Sequence, residues 1–153
     1  MNRSRRKDRE ISAEEAIRLV AEGEYGVLST VDGDGQPYGI PLSYAYRNEC
    51  IYFHCALEGR KLDNLADNPK VSFCVVGRTK ILPEKFATEY ESVLVSGTAR
   101  QVHGGERIDA LVSLLEKYSP GFIEEGKRYI EQKDAVTKVV RIDIDELTGK
   151  ARK

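Results

Sequence analysis

The feature that most restricts the fold is Asp32-Gly33-Asp34-Gly35, set between two apolar, strand-like runs. Asp and Gly tolerate the backbone conformations that reverse a chain tightly, so the flanking runs, 25–31 and 37–46, are expected to pair antiparallel. Arg47-Asn48 marks a second reversal and leads into a third run at 50–55. Further strand-like runs cover 70–76, 90–102 and 136–144. In 90–102, Val93 and Val95 alternate with Leu94 and Ser96, and Gly97 marks a bulge or bend. Hairpin-linked strands with helices around them predict a mostly β fold, a six-stranded antiparallel sheet closed into a barrel.

The helices fall between these runs. Ser12-Ala13-Glu14-Glu15 is a capping box, and Ala13, Ala16, Ile17 and Val20 follow at helical spacing until Gly23, giving a helix over 12–22. A short helix over about 59–67 is closed by Asn68-Pro69, because a residue before proline avoids the α region. Ile108, Leu111, Val112 and Leu115 form a stripe ending near Tyr118, and Ser119-Pro120 starts another helix that runs to about residue 133. Residues 79–88 read as a loop. The organisation expected is one domain over 11–150 behind a flexible basic arm, residues 1–10.

A chain of 153 residues with a net charge of −1 fits one domain and gives no electrostatic reason to expect nucleic acid or an anionic membrane. No apolar run approaches the roughly 20 residues of a membrane span, and the start of the chain lacks an apolar signal region. The three cysteines, Cys50, Cys55 and Cys74, are odd in number and lack Cys-x-x-Cys spacing, which fits reduced thiols in a cytoplasmic protein. The two histidines, His54 and His103, are not in a metal-ligand spacing, so no metal is expected.

Gly59-Arg60-Lys61 carries the chemistry most out of place. A helix start bears partial positive charge and free N–H groups and prefers acids, so two cations there are unfavourable unless an anion joins them. The junction reads either as a phosphate site or as a solvated helix start partly offset by Glu58. Pro37-Tyr38-Gly39-Ile40-Pro41-Leu42 reads either as a backbone edge against which a flat ligand lies or as a protected edge strand. His54 and Cys55 are strand neighbours and face opposite ways, so they cannot form a nucleophilic pair. His54 is either a hydrogen-bonded core histidine or a ligand contact.

In order and spacing these segments resemble the flavin-binding split-barrel proteins related to pyridoxamine 5′-phosphate oxidase. The 5-nitroimidazole-resistance branch is the nearest likeness. The matching pieces are Tyr25-Gly26-Val27-Leu28-Ser29-Thr30, Asp34 to Leu42, Ile51 to Ala56 with Gly59-Arg60-Lys61-Leu62, Asn68-Pro69-Lys70-Val71, Tyr90-Glu91-Ser92-Val93 with Ser96-Gly97-Thr98-Ala99, and the closing Ile142 to Lys150 with its Thr-Gly-Lys end. The resemblance implies a six-stranded split barrel and a homodimer holding FMN at the subunit interface. By position, Gly59, Arg60 and Lys61 would take the phosphate, and Tyr38, Gly39, Ile40, Pro41 and Leu42 would run along the isoalloxazine. His54 and Cys55 would line the pocket, with Ser92 and Val93 reaching the flavin from a barrel strand. His54 would be the catalytic residue facing a small-molecule substrate in an FMN-dependent oxidoreductase, nitroaromatic reduction being the specific case. Flavin binding without turnover, or the same barrel around deazaflavin or haem, are the rivals. The branch often carries His-Gly-Ala where this chain has His54-Cys55-Ala56, and the C-terminal substrate motif of the pyridoxamine phosphate oxidases has no match.

Overall fold

The computed structural model describes residues 4–153; Arg3, the first residue of the basic run, lies outside the described residues. Seven strands form one sheet: β1 (Gly26–Val31), β2 (Pro37–Leu42), β3 (Ala45–Arg47), β4 (Cys50–Cys55), β5 (Lys70–Leu82), β6 (Ala87–Val102) and β7 (Lys138–Arg152). Every ladder is antiparallel, in the order β2-β1-β5-β6-β7-β4-β3. The outermost strands, β2 and β3, are consecutive in the chain and joined only through Ser43 and Tyr44. That short join brings the two edges of the sheet together without a ladder between them, which makes the barrel a split one.

The expected six strands become seven because the run 37–46 breaks at Ser43-Tyr44 and its halves go to opposite edges. Tyr44, fully buried, turns the corner with its hydroxyl bonded to the Val20 carbonyl. The expected loop at 79–88 is instead the tip of a long β5–β6 hairpin, turned by Pro83–Lys85 and by Phe86 in the left-handed region. Gly97 sits at a register shift between β6 and β7, where an added Cβ would come 2.5 Å from the Asp143 carbonyl oxygen. The last strand extends past 144 to Arg152, and Ile11 reaches it by donating its N–H to the Gly149 carbonyl.

Alternation along the strands sorts the side chains into two cores. Leu28, Ile51, Phe53, Phe73, Val75, Val93 and Val95 fill the barrel together with Ala16, Leu19 and Val20 of α1 (Ala13–Glu22). Ser12 caps that helix, accepting from the Glu15 N–H at 3.1 Å. Leu62 and Leu65 of α2 (Arg60–Asp67) pack against the same core. The second core lies outside the barrel wall, where Ala110, Leu111 and Leu114 of α3 (Gly104–Tyr118) cover Cys50, Tyr52 and Val139. Ile130 of α4 (Ile123–Lys133) packs onto that second core. No helix among the described residues is long and apolar enough to cross a membrane.

Candidate functional site

β4 organises the site. Ile51, Phe53 and Cys55 point into the barrel, whereas Cys50, Tyr52 and His54 face outward, the first two beneath α3. Cys50 and Tyr52 are covered by that helix, but His54, the last of the row, lies beyond the cover and is exposed. His54 and Cys55 therefore face opposite ways, and Cys55 is a core thiol whose burial pushes its pKa up. The His54 imidazole is held below its ordinary value, chiefly by desolvation against the wall and secondarily by the Lys61 ammonium.

Beside His54 opens a cleft of about 750 Å³ between β4 and the α3–α4 pair. Leu111, Leu115, Tyr118, Tyr129 and Ile130 supply its apolar walls, and Lys133 and Ser43 are among its polar groups. Its size lies within the range of small-molecule sites. The stripe Leu111–Leu115 reads in sequence as core packing; nothing in its spacing distinguishes the residues that stay open to this cleft.

The basic junction follows directly. Gly59 caps α2 with a φ of 152°, a conformation strained for any residue with a side chain. The cap offers no side-chain acceptor to the free N–H groups of the first turn. Among the described residues neither Arg60 nor Lys61 forms an ion pair, with Glu58, Asp63 or any other acid. The Arg60 guanidinium instead lies over the Tyr38 ring, 4.4 Å from its centroid. Tyr38 and Arg60 are thus brought together, while Lys61 sits close enough to His54 to act on its charge.

β2 shows why its prolines are tolerated. The Asp32 N–H donates to the Gln36 carbonyl at 3.0 Å, and antiparallel bonding alternates from there. The bonded pairs recur at Thr30/Tyr38, Leu28/Ile40 and Gly26/Leu42. Pro37, Gly39 and Pro41 consequently turn their nitrogens to the open edge, where a proline costs no ladder bond. Between Pro37 and Pro41, Gly39 supplies the single N–H on that edge. The side chains of Ile40 and Leu42 pack inward against the barrel core.

Ser92 and Val93 are not brought to this cluster within one chain. β1 and β5 lie between β6 and β2, so three strand spacings, about 14 Å of sheet, intervene. Val93 is wholly inside the barrel and Ser92 is half-buried on the other face. Sequence reading also passes over Thr30 and Asn64, which meet beneath the junction, and over Glu106, which accepts from Tyr52 at 2.7 Å and from Arg141 at 2.6 Å.

The chain belongs to the pyridoxamine 5′-phosphate oxidase family, whose description matches residues 12–151. It is 31% identical over 154 residues to the uncharacterised protein RA0666 of Rhizobium meliloti, covering 94% of each chain. A Bacteroides thetaiotaomicron protein named for 5-nitroimidazole antibiotic resistance superposes with a TM-score of 0.73 at 20% identity, over 93% of this chain and 86% of the other. An FAD-binding protein of Mesorhizobium loti gives 0.68 at 23% identity, over 95% and 98%.

Proposed function

We propose that this protein is a homodimeric flavoprotein that binds FMN between its subunits and carries out redox chemistry on a small planar substrate. The observation that carries the reading is a helix start with two cations and no acidic partner among the described residues, next to an edge strand with one unused N–H. A dianionic phosphate answers the first feature, through the free amides of α2 and the side chains of Arg60 and Lys61. A flat ring with acceptor atoms answers the second, through Gly39. The family resemblance and the FAD-binding Mesorhizobium loti protein of the same fold support a flavin in this role.

FMN, when bound, supplies the electron transfer. The chain supplies binding, orientation and proton placement. Arg60, Lys61 and Gly59 hold the phosphate, and the β2 edge from Tyr38 to Leu42 orients the ring. Ser92 serves the flavin of the second copy, which accounts for its distance from Arg60 within one chain, and Val93 supports it from the core. Cys55 shapes the pocket from inside the barrel. His54 presents its imidazole to substrate in the α3–α4 cleft; surroundings that lower its pKa make the protonated ring a readier acid, and that imidazolium hands over a proton as the substrate is reduced. Nitroaromatic compounds are the specific substrate class, in keeping with the Bacteroides protein of the same fold.

FMN titration followed by flavin fluorescence tests the assignment. Wild-type protein is expected to bind with a micromolar or lower Kd, and Lys61→Ala to weaken binding by about tenfold or more, as for loss of a charge-assisted contact. Unchanged affinity in Lys61→Ala overturns the phosphate assignment. His54→Ala is expected to keep FMN and lose nicotinamide-dependent reduction of a nitroaromatic probe; full turnover in that variant removes His54 from the chemistry.

A further inference from the structure

Thr30 and Asn64 are the two polar residues buried in the described core, 1% and 3% exposed, and they are bonded to each other. The Asn64 amide donates to the Thr30 hydroxyl at 3.0 Å across the α2–β1 contact. A Val–Leu pair would fill similar space without any polar group to desolvate, so stability alone does not call for this bond. What a hydrogen bond adds over apolar packing is direction.

The direction leads to both halves of the site. Asn64 lies one helical turn beyond Arg60 and Lys61. Thr30 is the ladder partner of Tyr38, and its hydroxyl lies 3.5 Å from the Tyr38 carbonyl. The Tyr38 ring in turn carries the Arg60 guanidinium. The contacts thus close a ring from Arg60 through Tyr38, Thr30 and Asn64 back to α2. We infer that Asn64 and Thr30 are positioning residues that fix the basic start of α2 against the open edge of β2. They set the span between the phosphate and the ring of a bound flavin, an inference that rests on the flavin reading above.

Measuring Kd for FMN and for riboflavin, which lacks the phosphate, separates positioning from general support. The wild-type protein is expected to prefer FMN. Thr30→Val is expected to lower that preference about tenfold, the size of one charge-assisted hydrogen bond, by moving the phosphate site relative to the ring. Thr30→Ser, which keeps the hydroxyl, is expected to restore it. The double variant Thr30→Val/Asn64→Leu leaves no buried polar group unpaired and keeps the comparison open if the single variant folds poorly; its preference is expected to stay low. Wild-type preference retained in Thr30→Val or in the double variant, with only thermal stability changed, overturns the positioning role and leaves the flavin reading intact. Wild-type protein that binds neither flavin overturns both.

Discussion

α2 and α3 each bring first-turn charge to the barrel, and the barrel answers only one of them. Glu106 in the first turn of α3 suits the helix dipole and is bonded to Tyr52 and Arg141, while Arg141 is held in turn by Asp143 at 2.7 Å. The Tyr52 bond, then the Arg141 guanidinium, hold the Glu106 carboxyl below its usual range. Arg60 and Lys61 in the first turn of α2 oppose the dipole, and the only acid of that turn, Asp63, is exposed and forms no ion pair with them. A charge that is fully answered contributes to the fold. A charge left over among the described residues is available to a ligand.

The largest change in stability is expected where the charge is answered. Glu106→Ala leaves the Tyr52 hydroxyl and the Arg141 guanidinium short of a partner, and should cost about 2 kcal/mol in denaturant unfolding with FMN affinity unchanged. Because the Glu106 pKa is depressed by folding, its contribution is present above the carboxylate range and fades as pH falls through it, so the variant should also show a shallower loss of stability on acidification. At the unanswered end the sign reverses. Lys61→Glu replaces an unfavourable cation with an anion that suits a helix start, and the flavin-free protein should gain about 0.5 kcal/mol while losing FMN binding. A stability loss there would mean that Lys61 has a partner in the fold.

Smaller effects sharpen the contrast. Lys61→Met removes the positive charge that helps to depress His54, so the His54 pKa, read from imidazole NMR shifts against pH, should rise toward its ordinary value. Bound phosphate should act in the same direction in wild-type protein. A pH effect of a different kind concerns Lys117, whose burial lowers its pKa from 10.5 to about 8 while its ammonium donates to the Tyr44 carbonyl at 2.9 Å. The folded protein sheds this proton before the unfolded chain does, so this component of stability rises as pH climbs from about 8 toward 10.5. Lys117→Met should remove that rise from the pH dependence of urea unfolding.

Sequence reading reached the antiparallel hairpins, the capped first helix and the bulge at Gly97, because each depends on residues adjacent in the chain. It did not reach the break at Ser43-Tyr44, since Tyr44 turns there through a bond to Val20 that no local pattern encodes. The tip at 79–88 looks like a loop because Pro83 and mixed charge are local signals, while its pairing is decided by the register running up from β5 and β6. The basic junction and the proline-edged strand were legible as chemical oddities. That the prolines face the open edge, and that Tyr38 meets Arg60, depends on the ladder and on α2 packing. Asn64 and Thr30 carried no signal, because a polar residue on a short helix or a strand is ordinary until its burial is known.

The most direct measurement is the visible spectrum of the purified protein after mixing with excess FMN and passing through a desalting column. Flavin bands travelling with the protein, close to one FMN per subunit, and lost in Lys61→Ala, are the result predicted here. All the flavin in the salt fraction, at protein well above a roughly micromolar Kd, would contradict the assignment of the α2 start and the β2 edge to a flavin.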